Sequence, residues 1–177
     1  MQRLPHRGHH TRLLFLQALR GHVDSVNEVN WLMCTNTLAS ASSDKTLSLW
    51  DARTGLPSAT LFGHSTSINS VSSNLRANVV ASADADGVLK TWDIRMMRET
   101  SSMALSAHAL NRVRFDRSGE AVVAACDDGH VYSVDVIKGE PQGDLTGHED
   151  AVNSIALDPS GEFLISASSD CSFIMWS

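Results

Sequence analysis

The sequence contains few of the residues that mark several large classes of protein. Its three cysteines, Cys34, Cys126 and Cys171, are far apart and form no Cys-x-x-Cys pair. This spacing argues against a disulfide framework or a thiolate zinc site, so we expect reduced, half-buried thiols and no metal or other cofactor. No apolar run approaches the roughly 20 residues that span a bilayer, and the run from Leu13 to Leu16 is shorter than a signal-peptide core of about 7–15 residues. We therefore expect a cytoplasmic protein without a membrane-embedded segment.

Positive charge is also scarce. The 14 Lys and Arg residues stand against 20 Asp and Glu residues, which leaves a net charge of −6 and no basic face for a phosphate backbone, so nucleic acid is not expected as a partner. The 42% hydrophobic content, in contrast, is enough to bury a core. Residues 1–12, with His6, His9 and His10, are expected to form a flexible tail rather than a metal site.

A repeat of about 42 residues organises the rest of the chain. Each unit opens near a Gly-His dipeptide and closes near a Trp-Asp dipeptide. The closing positions are Trp50-Asp51, Trp92-Asp93, Val134-Asp135 and Trp176-Ser177. The opening positions are Gly21-His22, Gly63-His64, Ala107-His108 and Gly147-His148. The period predicts units over residues 21–62, 63–106, 107–146 and 147–177.

Each unit contains three short runs with the length and composition of strands. In the first unit they are Val26–Trp31, Leu38–Ser42 and Leu47–Asp51, and Asp- or Gly-containing turns join the second run to the third throughout. A further run before the next Gly-His position, such as Pro57–Leu61, predicts a fourth, outer strand, where proline is tolerated. Residues 13–19 form an outer run without inner ones.

Repeats of this length and these dipeptides are typical of WD-repeat β-propellers, and the sequence resembles that family over nearly its whole length. The resemblance implies an all-β fold over residues 13–177, with four four-stranded antiparallel blades. It also implies that residues 13–19 supply the outer strand of the last blade. WD blades are tapered for a ring of about seven. We therefore expect part of a seven-bladed propeller, an open arc whose two flanks expose apolar strand faces.

Histidine, serine, aspartate and tryptophan recur together in three units. The sets are His22, Ser40, Asp44 and Trp50; His64, Ser82, Asp86 and Trp92; and His148, Ser166, Asp170 and Trp176. Serine, histidine and aspartate also make up hydrolase triads, but a catalytic set is needed once, on an exposed elbow, whereas these serines lie within predicted strands. The resemblance implies a structural hydrogen-bond chain and a protein that is not an enzyme. A Ser/His/Asp hydrolase is the alternative from another class.

The third unit departs from this pattern. Ala124 and Val134 occupy the serine and tryptophan positions, which leaves His108 and Asp128 as its members of the network. One interpretation is a blade that relies on apolar packing, since losing polar groups in pairs can be nearly neutral. The other is a blade freed to shape a binding surface.

Loops on the faces of a propeller are held still by the strands, which lowers the cost of binding a partner. We expect such loops to bind other proteins. The residues predicted to line them are Asp24, Lys45, Ser67, Ala85, Leu110 and Asp150.

Several stretches resemble, more narrowly, the last four repeats of axonemal central-apparatus WD proteins of the sperm-associated antigen type. They are residues 21–27, 36–38, 43–55 and 147–152, and the ending Trp176-Ser177. The resemblance implies a structural component of the axoneme of motile cilia and flagella, with central-pair proteins as partners. That family has an N-terminal region and further blades, so we expect a fragment, a short isoform or an incomplete gene model.

The sequence leaves both the biological role and the self-association of the chain open. A generic cytosolic WD adaptor, such as a ubiquitin-ligase substrate receptor or a trafficking scaffold, is the alternative within the binding class. Because both tubulin and this chain are acidic, we expect any attachment to microtubules to be indirect. Self-association through the open flanks is the other open possibility.

Overall fold

In the computed structural model, residues 18–177 are described, and they form fifteen strands in four antiparallel sheets. We call these sheets blades one to four, in chain order. Blade one contains β1 (Val26–Trp31), β2 (Thr37–Ser42), β3 (Thr46–Asp51) and β4 (Leu56–Phe62). Blade two contains β5 (Ile68–Ser73), β6 (Val79–Asp84), β7 (Val88–Asp93) and β8 (Arg98–Ala104). Blade three contains β9 (Leu110–Phe115), β10 (Ala121–Cys126), β11 (His130–Asp135) and β12 (Glu140–Thr146). Blade four contains β13 (Val152–Leu157), β14 (Leu164–Ser168) and β15 (Phe173–Trp176).

The predicted all-β fold is confirmed, with one difference in the last blade. Strands pair in chain order within every blade, and blades one to three have four strands each. Blade four has three described strands. The outer strand predicted over residues 13–19 lies mostly outside the described residues, and Ala18 and Leu19 are not in a strand. The predicted tail, residues 1–12, also lies outside them. No helix capable of crossing a bilayer occurs in residues 18–177.

The hairpins between the second and third strands share one backbone feature. The same slot of each turn has positive φ, at Lys45 (70°), Gly87 (78°), Gly129 (87°) and Cys171 (67°). Glycine adopts this left-handed conformation without steric cost, whereas a side chain there is strained. The recurrence every 42 residues shows that the turn is part of the repeat.

The core lies between the blades rather than inside one of them. Leu47 and Leu49 of blade one pack with Ile68 and Val71 of blade two in one buried cluster. A second cluster joins blades two and three, and a third joins blades three and four. Each blade is therefore stabilised mainly by burying apolar surface against its neighbours.

Equivalent positions in successive repeats show where the arc is open. Val29 is 62% exposed, but the residue that follows it in the repeat series, Val71, is fully buried. At the other end, Phe173 is 76% exposed whereas Leu47, its equivalent in blade one, is fully buried. These end residues are exposed because no further blade lies beside them in residues 18–177. The arrangement is an open arc with two apolar flanks, as predicted.

Gly87 gives a direct test of how tightly adjacent blades are joined. A Cβ added there would lie 2.2 Å from the backbone oxygen of Ser106 in the next loop, at a positive φ. We expect Gly87→Ala to lower the free energy of unfolding by roughly 2–4 kcal/mol. Gly143→Ala is the control, because nothing lies within 4 Å of its Cβ position, and it should change stability by less than about 1 kcal/mol. Equal effects in chemical denaturation would contradict this packing.

Candidate functional site: the histidine edge

A chain of four side chains runs through blade one from its centre to one edge. The indole Nε1 of Trp50 donates to Ser40 Oγ at 2.7 Å, Ser40 Oγ lies 2.6 Å from His22 Nε2, and His22 Nδ1 lies 2.7 Å from Asp44 Oδ2. An indole N–H only donates and a carboxylate only accepts, so Trp50 donates to Ser40 and Nδ1–H donates to Asp44. In the Nδ1–H tautomer of His22, Nε2 accepts the hydrogen bond from Ser40. Every polar atom in the chain has a partner.

Blades two and four repeat the chain almost unchanged. In blade two the three distances are 2.8 Å from Trp92 to Ser82, 2.6 Å from Ser82 to His64 and 2.7 Å from His64 to its carboxylate. In blade four, Trp176, Ser166, His148 and Asp170 follow one another at 2.9, 2.7 and 2.8 Å. The structure thus brings together eleven of the twelve side chains that the sequence grouped in these three units.

The exception is Asp86, because the carboxylate that binds His64 belongs to Asp84. Asp84 ends strand β6 two residues after Ser82, so both side chains lie on the same face of the strand. Asp86 is exposed in the following turn. In blades one and four a serine occupies the slot of Asp84, and its hydroxyl accepts the N–H of the turn aspartate. The sequence contained a signal for this assignment, because Ser82 and Asp84 are two residues apart in a predicted strand and so share a face.

In blade three the predicted role of His108 is wrong. Asn111 and Leu110 align with Asn69 and Ile68 of blade two, which places Ser106, not His108, in the histidine slot. Ser106 Oγ donates to Asp128 at 2.6 Å, and Tyr132 donates to the same oxygen at 2.7 Å. His108 is exposed. Ala124 and Val134 are fully buried in the apolar cluster with blade two.

The aspartates of the chain are held in their charged form. Burial raises the pKa of Asp44, but the hydrogen bonds that it accepts from Thr46, His22 and Val23 more than offset this, so its pKa lies below the usual 3.8. The pKa of Asp84 is lowered in the same way, with His64 as the main donor. The hydrogen bond from Ser172 is the main cause of the lowered pKa of Asp170.

This arrangement braces the blade, and it does not suit nucleophilic catalysis. Ser40 is 2% exposed and Ser82 and Ser166 are fully buried. Each of these hydroxyls is already bonded to a histidine and an indole, so a substrate carbonyl has no approach to it. Among residues 18–177, no group of three or more His, Cys, Asp or Glu side chains could hold a metal ion.

The cysteines differ from the expectation of half-buried thiols. Cys34 and Cys171 are exposed, and Cys126 is buried. Burial raises the pKa of Cys126 to about 11, so this thiol is not activated.

The same aspartates hold the loops at one edge of the arc. Besides binding His22, Asp44 Oδ2 accepts the backbone N–H of Val23 at 3.1 Å, which ties the hairpin 43–45 to the loop 21–25. Asp170 binds the N–H of Glu149 in the same way. We call this edge the histidine edge. It comprises residues 21–25, 43–45, 63–67, 85–87, 105–109, 127–129, 147–151 and 169–172.

The residues predicted for binding loops fall into three groups. Asp24, Lys45 and Asp150 are exposed on the histidine edge. Ser67 and Ala85 are half-buried on it. Leu110 was wrongly predicted to be accessible: it is fully buried at the start of β9, because the two-residue error at His108 shifted the register of this loop.

Comparison with known proteins agrees with this structure. The sequence model of the family "WD domain, G-beta repeat" matches residues 14–51, 55–93 and 139–177, which together make up more than half of the chain. The chain therefore belongs to the WD-repeat family, whose members are generally non-catalytic scaffolds for protein interactions. The matched ranges leave out most of blade three. In that blade Ala124 and Val134 replace the serine and the tryptophan of the hydrogen-bond network.

One curated relative is a WD repeat-containing protein 89 homolog from Dictyostelium discoideum. It is 50% identical to this chain over 46 residues. The alignment covers 26% of this chain and 13% of the relative. The similarity is thus confined to a segment about the length of one repeat.

Removing the Ser82 hydroxyl tests whether the hydrogen-bond network from Trp92 to Asp84 stabilises the fold. We expect Ser82→Ala to lower the free energy of unfolding by about 1–3 kcal/mol, because the indole of Trp92 and the imidazole of His64 each lose a buried partner. Ala124→Ser adds the same hydroxyl in blade three, where neither partner exists. It should also destabilise the protein. A stabilising Ala124→Ser, or a neutral Ser82→Ala, in urea unfolding would contradict the assignment.

Acid should weaken the hydrogen-bond chain from the indole to the carboxylate as pH falls below about 4. A carboxylate whose pKa is lower in the folded state contributes stability above its unfolded pKa and loses it as pH falls towards the folded value. We therefore expect Asp84→Asn to be less stable than the native protein at pH 7, and the difference to shrink below about pH 4. Asp86→Asn is the matched control and should change little. A difference that is the same at pH 7 and pH 3 would contradict the assignment.

Proposed function

We propose that this chain is a structural scaffold of the axonemal central apparatus, located in the cytoplasmic axoneme of motile cilia or flagella. Its binding surface in this proposal is the histidine edge. The supporting observation is the link between Asp44 and the loops that carry Asp24 and Lys45. Because a buried network holds these loops, partner binding needs little further ordering of the backbone.

The narrower axonemal role is supported by the stretches of sequence that resemble central-apparatus WD proteins. The relevant segments include residues 21–27, 43–55 and 147–152. Residues 21–25, 43–45 and 147–151 of these segments belong to the histidine edge, so part of the resemblance lies in the loops that we propose for binding. Central-pair proteins are the partners that this role requires.

The charge of the histidine edge supports indirect attachment to microtubules. Its exposed side chains include Asp24, Asp86, Asp127, Glu149 and Asp150, with Lys45 as a cation among them. An acidic surface repels the acidic surface of tubulin. The proposal is therefore a bridge through other proteins that present basic groups, with no direct contact between this edge and the microtubule.

Proximity labelling in a ciliated cell tests the proposal. The native chain should label central-pair proteins, and the variant Asp24→Arg/Asp150→Arg should lose most of this labelling because the exposed negative charge of the edge is neutralised. Arg53→Glu/Lys138→Glu is the matched control, since both residues are exposed in turns at the opposite edge. Thermal unfolding should show that all variants remain folded.

The outcome separates the two binding roles. Labelling of ubiquitin-ligase or trafficking proteins in place of central-pair proteins would support the generic adaptor and contradict the axonemal role. Labelling that both charge variants leave unchanged would contradict the use of the histidine edge.

A further inference from the structure

The first strands of the blades lie on the inner, concave side of the arc. Strands β1, β5, β9 and β13 contact one another in series across the blades, whereas the fourth strands lie at the other end of each sheet. On this inner side, Glu28 of β1 reaches past blade two to Arg112 and Arg114 of β9. These three side chains form a charged cluster that joins the first blade to the third.

Glu28 is a buried carboxylate whose acceptor sites are all in use. Its side chain is 7% exposed. Oε2 accepts the hydroxyl of Ser70 and the backbone N–H of Val71, the latter at 2.9 Å. Oε1 lies 3.1 Å from Arg112 Nη2 and 3.0 Å from Arg114 Nη2. A carboxylate offers about four acceptor sites in all, so Glu28 has no capacity for a further donor.

The two arginines carry more charge and more donors than Glu28 can match. Two guanidinium charges face one carboxylate charge, and among residues 18–177 no other acidic residue lies within ion-pair distance of either arginine. The Nε–H of Arg112 is buried and has no hydrogen-bond partner in the same residues. The side chains of Arg112 and Arg114 are nevertheless 35% and 27% exposed. The inner side therefore presents one unbalanced positive charge that an incoming group can reach.

The positions of the two arginines have a structural role in blade two that arginine cannot perform. Ser70 of blade two accepts the backbone N–H of Val113 in blade three at 3.0 Å, and Ser72 likewise accepts a backbone N–H of that blade at 3.2 Å. Arg112 occupies the position of Ser70 one repeat later, and Arg114 occupies that of Ser72. Guanidinium groups only donate, so neither arginine can bind the next blade as these serines do. The arginines depart from the repeat, and their charge requires another explanation.

We propose that Arg112 and Arg114 form a binding site for a carboxylate of an acidic partner segment on the inner side of the arc. Guanidinium groups recognise carboxylates through charge-assisted hydrogen bonds, and both arginines already contact one in Glu28. The incoming carboxylate binds the exposed N–H groups that Glu28 leaves free. The site lies within blades one to three, so the proposal depends neither on the histidine edge nor on the two ends of the arc.

The charge balance of the cluster selects a carboxylate over a phosphate. One carboxylate neutralises the surplus positive charge, whereas a phosphate group carries about −1.5 to −2 at pH 7 and leaves excess negative charge beside the buried Glu28. The chain as a whole has a net charge of −6, so its overall field disfavours an acidic segment, and the local positive charge directs that segment to the inner side. A short acidic peptide is therefore the occupant that fits the site.

Fluorescence anisotropy with a labelled peptide of alternating glutamate and glycine tests the site. The native chain should bind this peptide at least about tenfold more tightly than a matched peptide of glutamine and glycine. Arg112→Ser should weaken binding of the glutamate peptide by about tenfold or more, because Arg114 and Glu28 then balance each other. This variant should stay folded, since serine occupies the same position in blade two. Arg76→Ser is the control: it removes the same charge from an exposed turn and should change binding by less than about twofold.

Glu28→Gln gives a second readout, which a purely structural role of the arginines does not produce. Glutamine keeps an acceptor for Ser70 and Val71 but removes the negative charge, so two unbalanced guanidinium charges remain. The variant should unfold at a lower temperature than the native chain and yet bind the glutamate peptide about threefold or more tightly. If the arginines serve only to hold Glu28, the variant should lose stability without any gain in affinity.

Several results would overturn the proposal. The native chain could bind the glutamate and glutamine peptides equally at concentrations up to about 100 μM, or folded Arg112→Ser could bind like the native chain. A folded Glu28→Gln variant with no gain in affinity would have the same meaning. Equal losses in Arg112→Ser and Arg76→Ser would show unspecific attraction between charges. Tighter binding of a peptide with phosphoserine in place of one glutamate would contradict the choice of a carboxylate.

Discussion

The hydrogen-bond chain from a buried indole to a carboxylate at the blade edge is the constraint on which the structure depends. Burying Trp92, Ser82 and His64 is costly unless each polar atom has a partner, and the geometry allows this only when two strands and a loop take fixed positions. The same carboxylates bind loop amides in blades one and four. The need to pair the buried polar atoms thus also fixes the positions of loops at the histidine edge.

Blade three shows what happens when this constraint is removed. The indole and the serine hydroxyl are lost together, and Val134 and Ala124 pack in their place in an apolar cluster. The turn aspartate is retained, and Ser106 and Tyr132 replace the histidine as its donors. The carboxylate still holds its turn, while the interior of the blade relies on apolar packing. This exchange explains why the family pattern is weakest here.

Much of the fold could be predicted because the sequence contains both short strand-like runs and a long repeat. The length and composition of the runs located strands such as Val26–Trp31 and Leu110–Phe115, and the 42-residue repeat located the blades. The wrong site predictions arose where a residue of the expected type lies close to the site in sequence but not at the strand position that the site requires. Asp86 resembled its counterparts in the turn, but the face of β6 selects Asp84. His108 resembled the other histidines, but strand pairing through Leu110 places Ser106 in that slot. The exposed flanks followed from the number of repeats, whereas contacts between blades, such as the hydrogen bond from the Asn27 side chain to Ile68 O, required coordinates.

Exchange of the four indole N–H protons with deuterium, followed by NMR, tests the central claim most directly. Trp50, Trp92 and Trp176 donate to Ser40, Ser82 and Ser166, whereas Trp31 is 54% exposed and donates to Thr35 O in its own turn. The account predicts fast exchange at Trp31, and slow exchange at the other three that becomes faster in the serine-to-alanine variants. Exchange of Trp92 at the rate of Trp31 would contradict it.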